Sequence, residues 1–468
     1  MKHNPGTTWR GLAGTLVCTG LMACAHTPEP PETPTLGLSD ITRFEAAPVD
    51  APDAQLADLR WWQRFDDPAL AEWVERALAQ SPDIAVARER AVQARALLQQ
   101  AGGQRRLQVE AEASVESRSR REANQRLVDP SISLLFEWDA DLWGGLRQAE
   151  RSAAAAALRS EDLVQAARLS TAALTARAYV AWREALLDER LLTDALDLQA
   201  EVLRLVRVRV QAGLSPQLDL DRAESEAASL GAEAADAVVR VRQAGAALQV
   251  LAGERPGPLD GGDALRLPAL SGTQPVVRPL DLLRLRPDLR AAENGLTSAA
   301  ADLGVAQADL YPRLRLPGSI TLTSSALNGG VLNIVTASIA AVLDATLFDA
   351  GQRRAGVAVA ESRVRESVEV YRQTLLQALQ QTEAALVAAS GARQRAQALE
   401  QAHAAASAAV TQARVLYDNG LTGFLDVLDA QRSALDTRRR LLVAQADGAR
   451  QSIATFEAMG LIEPASPP

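Results

Sequence analysis

The sequence predicts a mainly α-helical chain that lends four short amphipathic strands to a membrane β-barrel, and three observations lead there. The stretch 146–212 contains neither glycine nor proline, and as continuous helix it would be on the order of 100 Å long. A compact domain has no use for such a rod. A helical signature also occurs twice, about 207 residues apart: Gly213-Leu-Ser-Pro-Gln-Leu218-Asp219-Leu220 recurs as Gly420-Leu-Thr-Gly-Phe-Leu425-Asp426-Val427, and the two copies end at Gly253 and Gly460. Two units make a pseudo-repeat, not a solenoid. Finally, the hydrophobic period drops from about 3.5 to 2 in four places.

Taken in order, residues 1–23 read as a secretory signal, with Lys2 and Arg10 before an apolar stretch and Leu21-Met22-Ala23-Cys24 at its end. That tetrapeptide is a lipobox, so Cys24 is expected to become an acylated first residue tied to a membrane, with no aspartate after it. A cleaved signal with an incidental cysteine is the plainer account. Residues 24–60 then form a tether whose start, Pro28-Glu-Pro-Pro31, is extended. The first repeat covers 61–253, with helices starting near Pro68, and a Pro/Gly-rich linker, 254–287, carries the chain back to a second repeat over 288–460. Residues 461–468 are a tail.

Within the first repeat, Leu192, Leu196, Gln199, Leu203, Val206 and Val210 alternate spacings of four and three, the heptad rhythm of a helix packed beside partners. The second repeat has the same rhythm in smaller residues, Leu399, Ala402, Ala406, Ala409, Ala413 and Leu416. It resumes as Leu425, Leu428, Arg432, Leu435, Arg439, Leu442 and Ala446. A simple antiparallel coiled-coil rod fits these heptads equally well.

The period-two segments lie at about 107–117, 130–140, 313–323 and 334–344. Val109, Ala111 and Ala113 alternate with Glu110, Glu112 and Ser114, and Ile320 and Leu322 alternate with Ser319 and Thr321. Each repeat thus offers one hairpin of strands about ten residues long, enough to cross a bilayer when tilted. A soluble fold would cover the apolar faces with helices. No apolar run reaches the roughly 18 residues of a spanning helix, so any crossing is by a barrel, and four strands alone cannot enclose a wet lumen. Strands from several copies would have to pool.

Composition excludes other classes. Past the signal the only cysteine is Cys24, and the histidines are His26 in the tether and a lone His403, so disulfides, thiolate or histidine metal sites and Ser/His/Asp chemistry lack their parts. No cofactor and no enzyme activity are expected. A net charge of −9, with Lys2 the sole lysine, argues against nucleic acid as a partner.

Several motifs in order resemble the outer-membrane channel components of tripartite efflux pumps, the TolC and NodT-type lipoprotein group. They are Trp61-Trp62-Gln-Arg-Phe65-Asp66-Asp67-Pro68, Asp141-Leu142-Trp143-Gly144, Arg286-Pro287-Asp288 through Glu293, Tyr311-Pro312, Phe348-Asp349-Ala350-Gly351, and Tyr417 to Gly420 followed by Phe424 to Arg432. The resemblance spans nearly the whole mature chain. It implies a homotrimer whose four strands per chain close a twelve-stranded outer-membrane β-barrel above a long periplasmic α-helical barrel. The implied partners are a periplasmic membrane-fusion adaptor, an inner-membrane transporter of the RND type, and outer-membrane lipid.

The resemblance also assigns residues. Leu425, Asp426 and Asp429 would constrict the periplasmic tip, with Tyr417 and Arg432 as tethers, and Asp219, Asp221 and Arg222 are the first-repeat counterpart. The turns at Gly213 and Gly420 would meet the adaptor. Acidic residues just after a turn also stabilise a helix start through its dipole; on the residues alone that account serves Asp219 better and Asp426 equally. The function implied is a passive exit channel for drugs or other small molecules. A protein-secretion duct and a lipid-anchored coiled-coil scaffold without a pore are the alternatives.

Overall fold

A computed structural model describes residues 31, 34, 42–120, 125–262, 266–327 and 330–464. The signal, Cys24 with its lipobox, His26 and the tail from 465 lie outside the described residues. In chain order the helices are α1 (Pro68–Gln80), α2 (Pro82–Gln104), α3 (Gly145–Gln211), α4 (Gln217–Leu251), α5 (Leu282–Leu285), α6 (Pro287–Ala308), α7 (Gln352–Asp418) and α8 (Phe424–Ala458). The two long helices, α3 and α7, are both 67 residues, and α4 and α8 are both 35. The duplication read from the two Gly-Leu turns is therefore carried through to helix length. Among the described residues two compact units form, one from within 91–160 and 291–372, the other from within 42–90, 161–290 and 373–464, and each draws on both repeats.

The first unit holds one antiparallel sheet. Its strands are β1 (Gln108–Arg120), β2 (Gln125–Asp139), β3 (Arg313–Leu327), β4 (Gly330–Ile339) and β5 (Val342–Asp344), in the order β1-β2-β3-β4 with β5 beside β3. The strands run further toward their hairpin turns than the alternation alone suggested. The expected strand at 334–344 is broken at Ala340 and Ala341. Pro317 causes this: it has no N–H to give the ladder, which stops at Gly318 opposite Ile339 and resumes at Arg315 opposite Val342, although Ala340 still donates to the Pro317 carbonyl at 2.9 Å.

Register fixes which residues share a face. Val109, Phe136, Gly318 and Ile339 form one row, Ala111, Leu134, Ile320 and Ala337 the next, and Ala113, Ile132, Leu322 and Val335 a third. No helix among the described residues covers this apolar face: Ile132 is 60% exposed, Val335 68% and Ile339 87%. On the other face small hydroxyls pair across strands, Ser114 with Ser131 at 2.9 Å, Ser133 with Thr321 at 3.0 Å and Ser319 with Ser338 at 2.8 Å. At the helix end of the sheet, Asp141 caps α3 by accepting from the Leu146 and Arg147 amides, and Trp143 stacks on Tyr311 with centroids 4.7 Å apart.

The second unit has its own core. Trp61 lies fully buried and stacks on Phe456, 5.6 Å between ring centres. Asp67 caps α1 through the Ala69 and Leu70 amides and also accepts from the Tyr179 hydroxyl at 3.0 Å; burial first, then the Asp67 charge, hold that phenol protonated. The Trp-Trp-Gln-Arg-Phe-Asp-Asp-Pro motif is thus a packing and capping device. Its first residues belong to a 3-10 helix, Leu56–Arg64, where a tether to residue 60 had been expected. Arg286, 7% exposed, donates to the Ala458 carbonyl at 2.7 Å and to Asp288 and Gln381, so the Arg-Pro-Asp motif closes the end of α8.

Candidate functional site

The tip of the second unit is built from the ends of α3 and α7 and the starts of α4 and α8. The left-handed Gly213 and Gly420 turn the chain back, and in each turn the following leucine amide donates five residues back, Leu214 to Arg209 and Leu421 to Leu416, both at 2.8 Å. Val202, Val206, Ala223, Tyr417, Phe424, Val427 and Leu428 bury one another beneath these turns. Gln199, the one polar member of the first heptad series, lies just behind this cluster and donates to the Ala223 carbonyl at 3.0 Å. It lines a cavity of about 250 Å³ with Glu226, Gln431 and Arg432, separating the tip from a second cluster around Leu192, Leu230 and Ala237.

The residues expected at the constriction divide into two groups. Leu425, Asp426 and Asp429 are exposed on α8, with the Thr422 hydroxyl donating to Asp426. Tyr417 and Arg432 instead have partners within the chain. Tyr417 is buried against Phe424, with the Arg209 guanidinium 4.5 Å over its ring; its hydroxyl finds no hydrogen-bond partner among the described residues. Arg432 donates through Nε to Glu226 on α4 at 2.8 Å, and this bond, with the Asp429 charge behind it, holds the guanidinium protonated. Glu226, only 12% exposed, is a residue the sequence reading missed. In the first repeat, Asp219 sits in the first turn of α4, Asp221 accepts from Gln217 at 3.0 Å, and Arg222 is half-buried.

The heptad series are partly redrawn. On α3 the buried positions are Leu192, Gln199 and Val206, with Leu196, Leu203 and Val210 half-buried, as the spacing suggests. On α7, Leu399, Ala406 and Ala413 are half-buried but Ala402, Ala409 and Leu416 are exposed. Their places on the inward stripe go to His403, Val410 and Tyr417.

Further along the same unit, Asp188 on α3 accepts from Arg439 at 2.7 Å and from Arg240 at 2.8 Å, and Arg439 also donates to Glu233, so α3, α4 and α8 share one charge network. Burial raises the Asp188 carboxyl, but the bonds from the two arginines outweigh it and hold the group below the ordinary carboxylate range. Glu184 next along is pushed up, chiefly by burial, against the opposing pull of Arg450. A lowered folded-state pKa stabilises above the unfolded value of about 3.9 and stops doing so as pH falls through the folded value. Asp188→Asn should therefore cost about 1–3 kcal/mol at neutral pH. In thermal melts the gap from wild type should hold from about pH 8 to pH 5 and narrow in stronger acid. A gap that widened on acidification would show the carboxylate is not what binds the arginines.

An apolar sheet face that no described helix covers, in a chain otherwise built of long helices, is not an arrangement that an ordinary soluble fold leaves in water. Residues 73–254 and 279–461 match the family described as outer membrane efflux protein, and the chain belongs to that family. It is 31% identical over 467 residues to the pyoverdine export outer membrane protein OpmQ of Pseudomonas putida, covering 94% of this chain and 95% of that one. It is 29% identical over 409 residues to the solvent efflux pump outer membrane protein SrpC of Pseudomonas putida, covering 85% and 86%. The structure of the outer-membrane channel OprN superposes with a TM-score of 0.84 at 29% identity, over 93% of this chain and 99% of that one. The protein is an efflux channel of the outer membrane.

Proposed function

We propose that three copies pool their four long strands into a twelve-stranded barrel. Its lumen is the hydroxyl-paired face, and the long helices of the three copies line a periplasmic conduit. The observation that carries this is the continuous apolar face from Val109 through Ile339, which a lone chain leaves in water and a bilayer would cover at about 25 cal/mol per Å². A scaffold without a pore has no reason for such a face. The channel conducts small molecules passively and does no covalent chemistry. Pyoverdine export and solvent efflux, named for two relatives, are both exports of small organic compounds. Energy and selection come from partners, a periplasmic adaptor and an inner-membrane transporter, the adaptor meeting the Gly213 and Gly420 turns. Cys24 anchors the chain by acylation.

Leu425, Asp426 and Asp429 close the periplasmic tip around the three-fold axis, and the Arg432–Glu226 pair holds α8 against α4 so that they stay there. Two experiments test the reading. An unboiled sample on a denaturing gel should run as a trimer that heat dissociates, and the purified protein should form narrow, cation-attracting pores in planar bilayers. Asp429→Ala with Arg432→Ala should raise single-channel conductance, and Glu226→Ala should reproduce the arginine half of that rise. Unchanged conductance in all three variants would remove these residues from the gate; a monomer that leaves bilayers sealed would end the conduit reading itself.

A further inference from the structure

A polar layer interrupts the apolar packing behind the tip. On α3 the buried stripe positions Leu192, Gln199 and Val206 stand seven residues apart, so a glutamine takes the middle place of three. An apolar side chain there would join the two clusters into one core. Instead each cluster gives one leucine, Leu428 from the tip and Leu230 from the other, to the wall of the cavity between them.

The chemistry of that cavity suits water. Gln431 lines it, and its side-chain oxygen is buried without a hydrogen-bond partner among the described residues. The Gln199 amide donates to the Ala223 carbonyl, which lies within the backbone ladder of α4. The paired Glu226 and Arg432 complete the polar side. Cavities lined by hydrocarbon alone stay dry, whereas one of about 250 Å³ with several polar walls has both room and partners for more than one water. A buried acceptor with no donor is costly, and water supplies the donor.

We infer that this cavity holds a cluster of bound water, and that the tip flexes as one block about it. Interlocked apolar side chains resist bending, while bridging waters exchange partners at little cost. Helices also bend where a side chain or water reaches into the backbone ladder, as Gln199 does at Ala223. The ion pairs set the two sides apart. At the layer α4 and α8 share the single pair Glu226–Arg432, whereas one heptad further from the tip Arg439 binds both Glu233 and Asp188 and so clamps three helices. The layer gives the gate reading above its pivot, yet the flexing itself does not depend on that gate.

X-ray hydroxyl-radical footprinting of the purified channel reads the water, because radicals made from bound water oxidise the side chains that touch it. Leu230 and Leu428 should be oxidised at least about fivefold faster than Leu78 and Leu441, which are buried to the same degree outside the cavity. Amide hydrogen exchange reads the flexing. Along α8, amides 424–431 should exchange as one block at least about tenfold faster than amides 435–442, with a step at the layer. Gln199→Leu with Gln431→Leu closes the layer with hydrocarbon, and should erase the step by slowing the block. Equal oxidation of the four leucines means a dry cavity, and a smooth rise in exchange toward Gly420 means ordinary fraying of a helix end. Either overturns the inference, and both are read on the wild-type protein, so a leucine variant that fails to assemble leaves them decisive. The gate is judged apart. Added to Asp429→Ala with Arg432→Ala, the leucine pair should bring the raised conductance down; conductance that stays raised while exchange slows overturns the layer as the gate's pivot. If the gate variant never raises conductance, the gate reading falls and the exchange step alone upholds the hinge.

Discussion

Ile320→Arg is expected to abolish assembly in the outer membrane. Ile320 stands at the middle of β3, between Leu134 and Ala337 on the uncovered apolar face, and is 45% exposed in the lone chain. An arginine at the midplane of a lipid-facing strand costs about 2–4 kcal/mol. In a trimer the cost is met three times in one assembly. One residue along, Thr321→Arg places the same charge on the hydroxyl face, opposite Ser133 and Thr336, where a water-filled lumen would accept it. Heat-modifiable oligomer in the outer-membrane fraction should vanish for the first variant and persist for the second. Equal amounts for both would mean that the apolar face does not meet lipid.

Gly460→Ala should be among the most damaging single methyl additions in the helical unit. Gly460 follows α8 with φ at +73°, and an added Cβ would lie 2.8 Å from the Arg286 Cα and Cγ. Left-handed strain of about 1–2 kcal/mol then adds to about 1–3 kcal/mol of overpacking. The methyl also displaces the arginine that holds the Ala458 carbonyl. Gly420 is the control: its φ is +72°, yet nothing lies within 4 Å of where its Cβ would stand, so Gly420→Ala meets the strain alone. Gly253, with the Gln80 carbonyl 2.7 Å from a built Cβ, should behave like Gly460. Urea unfolding of the three variants decides it; equal losses at Gly460 and Gly420 would discard the close-contact argument.

Much of the fold could be read from residue patterns because each pattern had a strong physical contrast. Alternation of Val, Ile and Leu with Ser, Thr and Glu leaves one possible face for lipid, and the absence of glycine and proline over 146–212 leaves no place to end a helix. Where contrast was weak, the reading slipped. On α7 four of the six candidate seam residues are alanine, which packs inward or outward at little difference in energy, and the inward stripe takes in His403, Val410 and Tyr417, one residue past Ala402, Ala409 and Leu416. Pro317 gave the signal for a broken ladder, but the break falls on its partner strand, at Ala340, and no alternation rule looks across strands. Glu226 was invisible for a different reason: it lies 206 residues from Arg432, and nothing in a single sequence joins charges so far apart. No motif names Glu226, and its bond to Arg432 is a property of how α4 and α8 pack.

The matched helix lengths act as a ruler. Both long helices reach the buried tip cluster together, since Val202 and Val206 of one pack with Tyr417 at the end of the other. Removing one heptad shortens a helix by about 10.5 Å while preserving its stripe. Done in α3 and α4 but not in α7 and α8, such a deletion would leave the two turns at unequal depth and tear Phe424 from its neighbours. Done in both halves, it should leave the tip cluster intact, so insertions and deletions in these helices are tolerable only as twins.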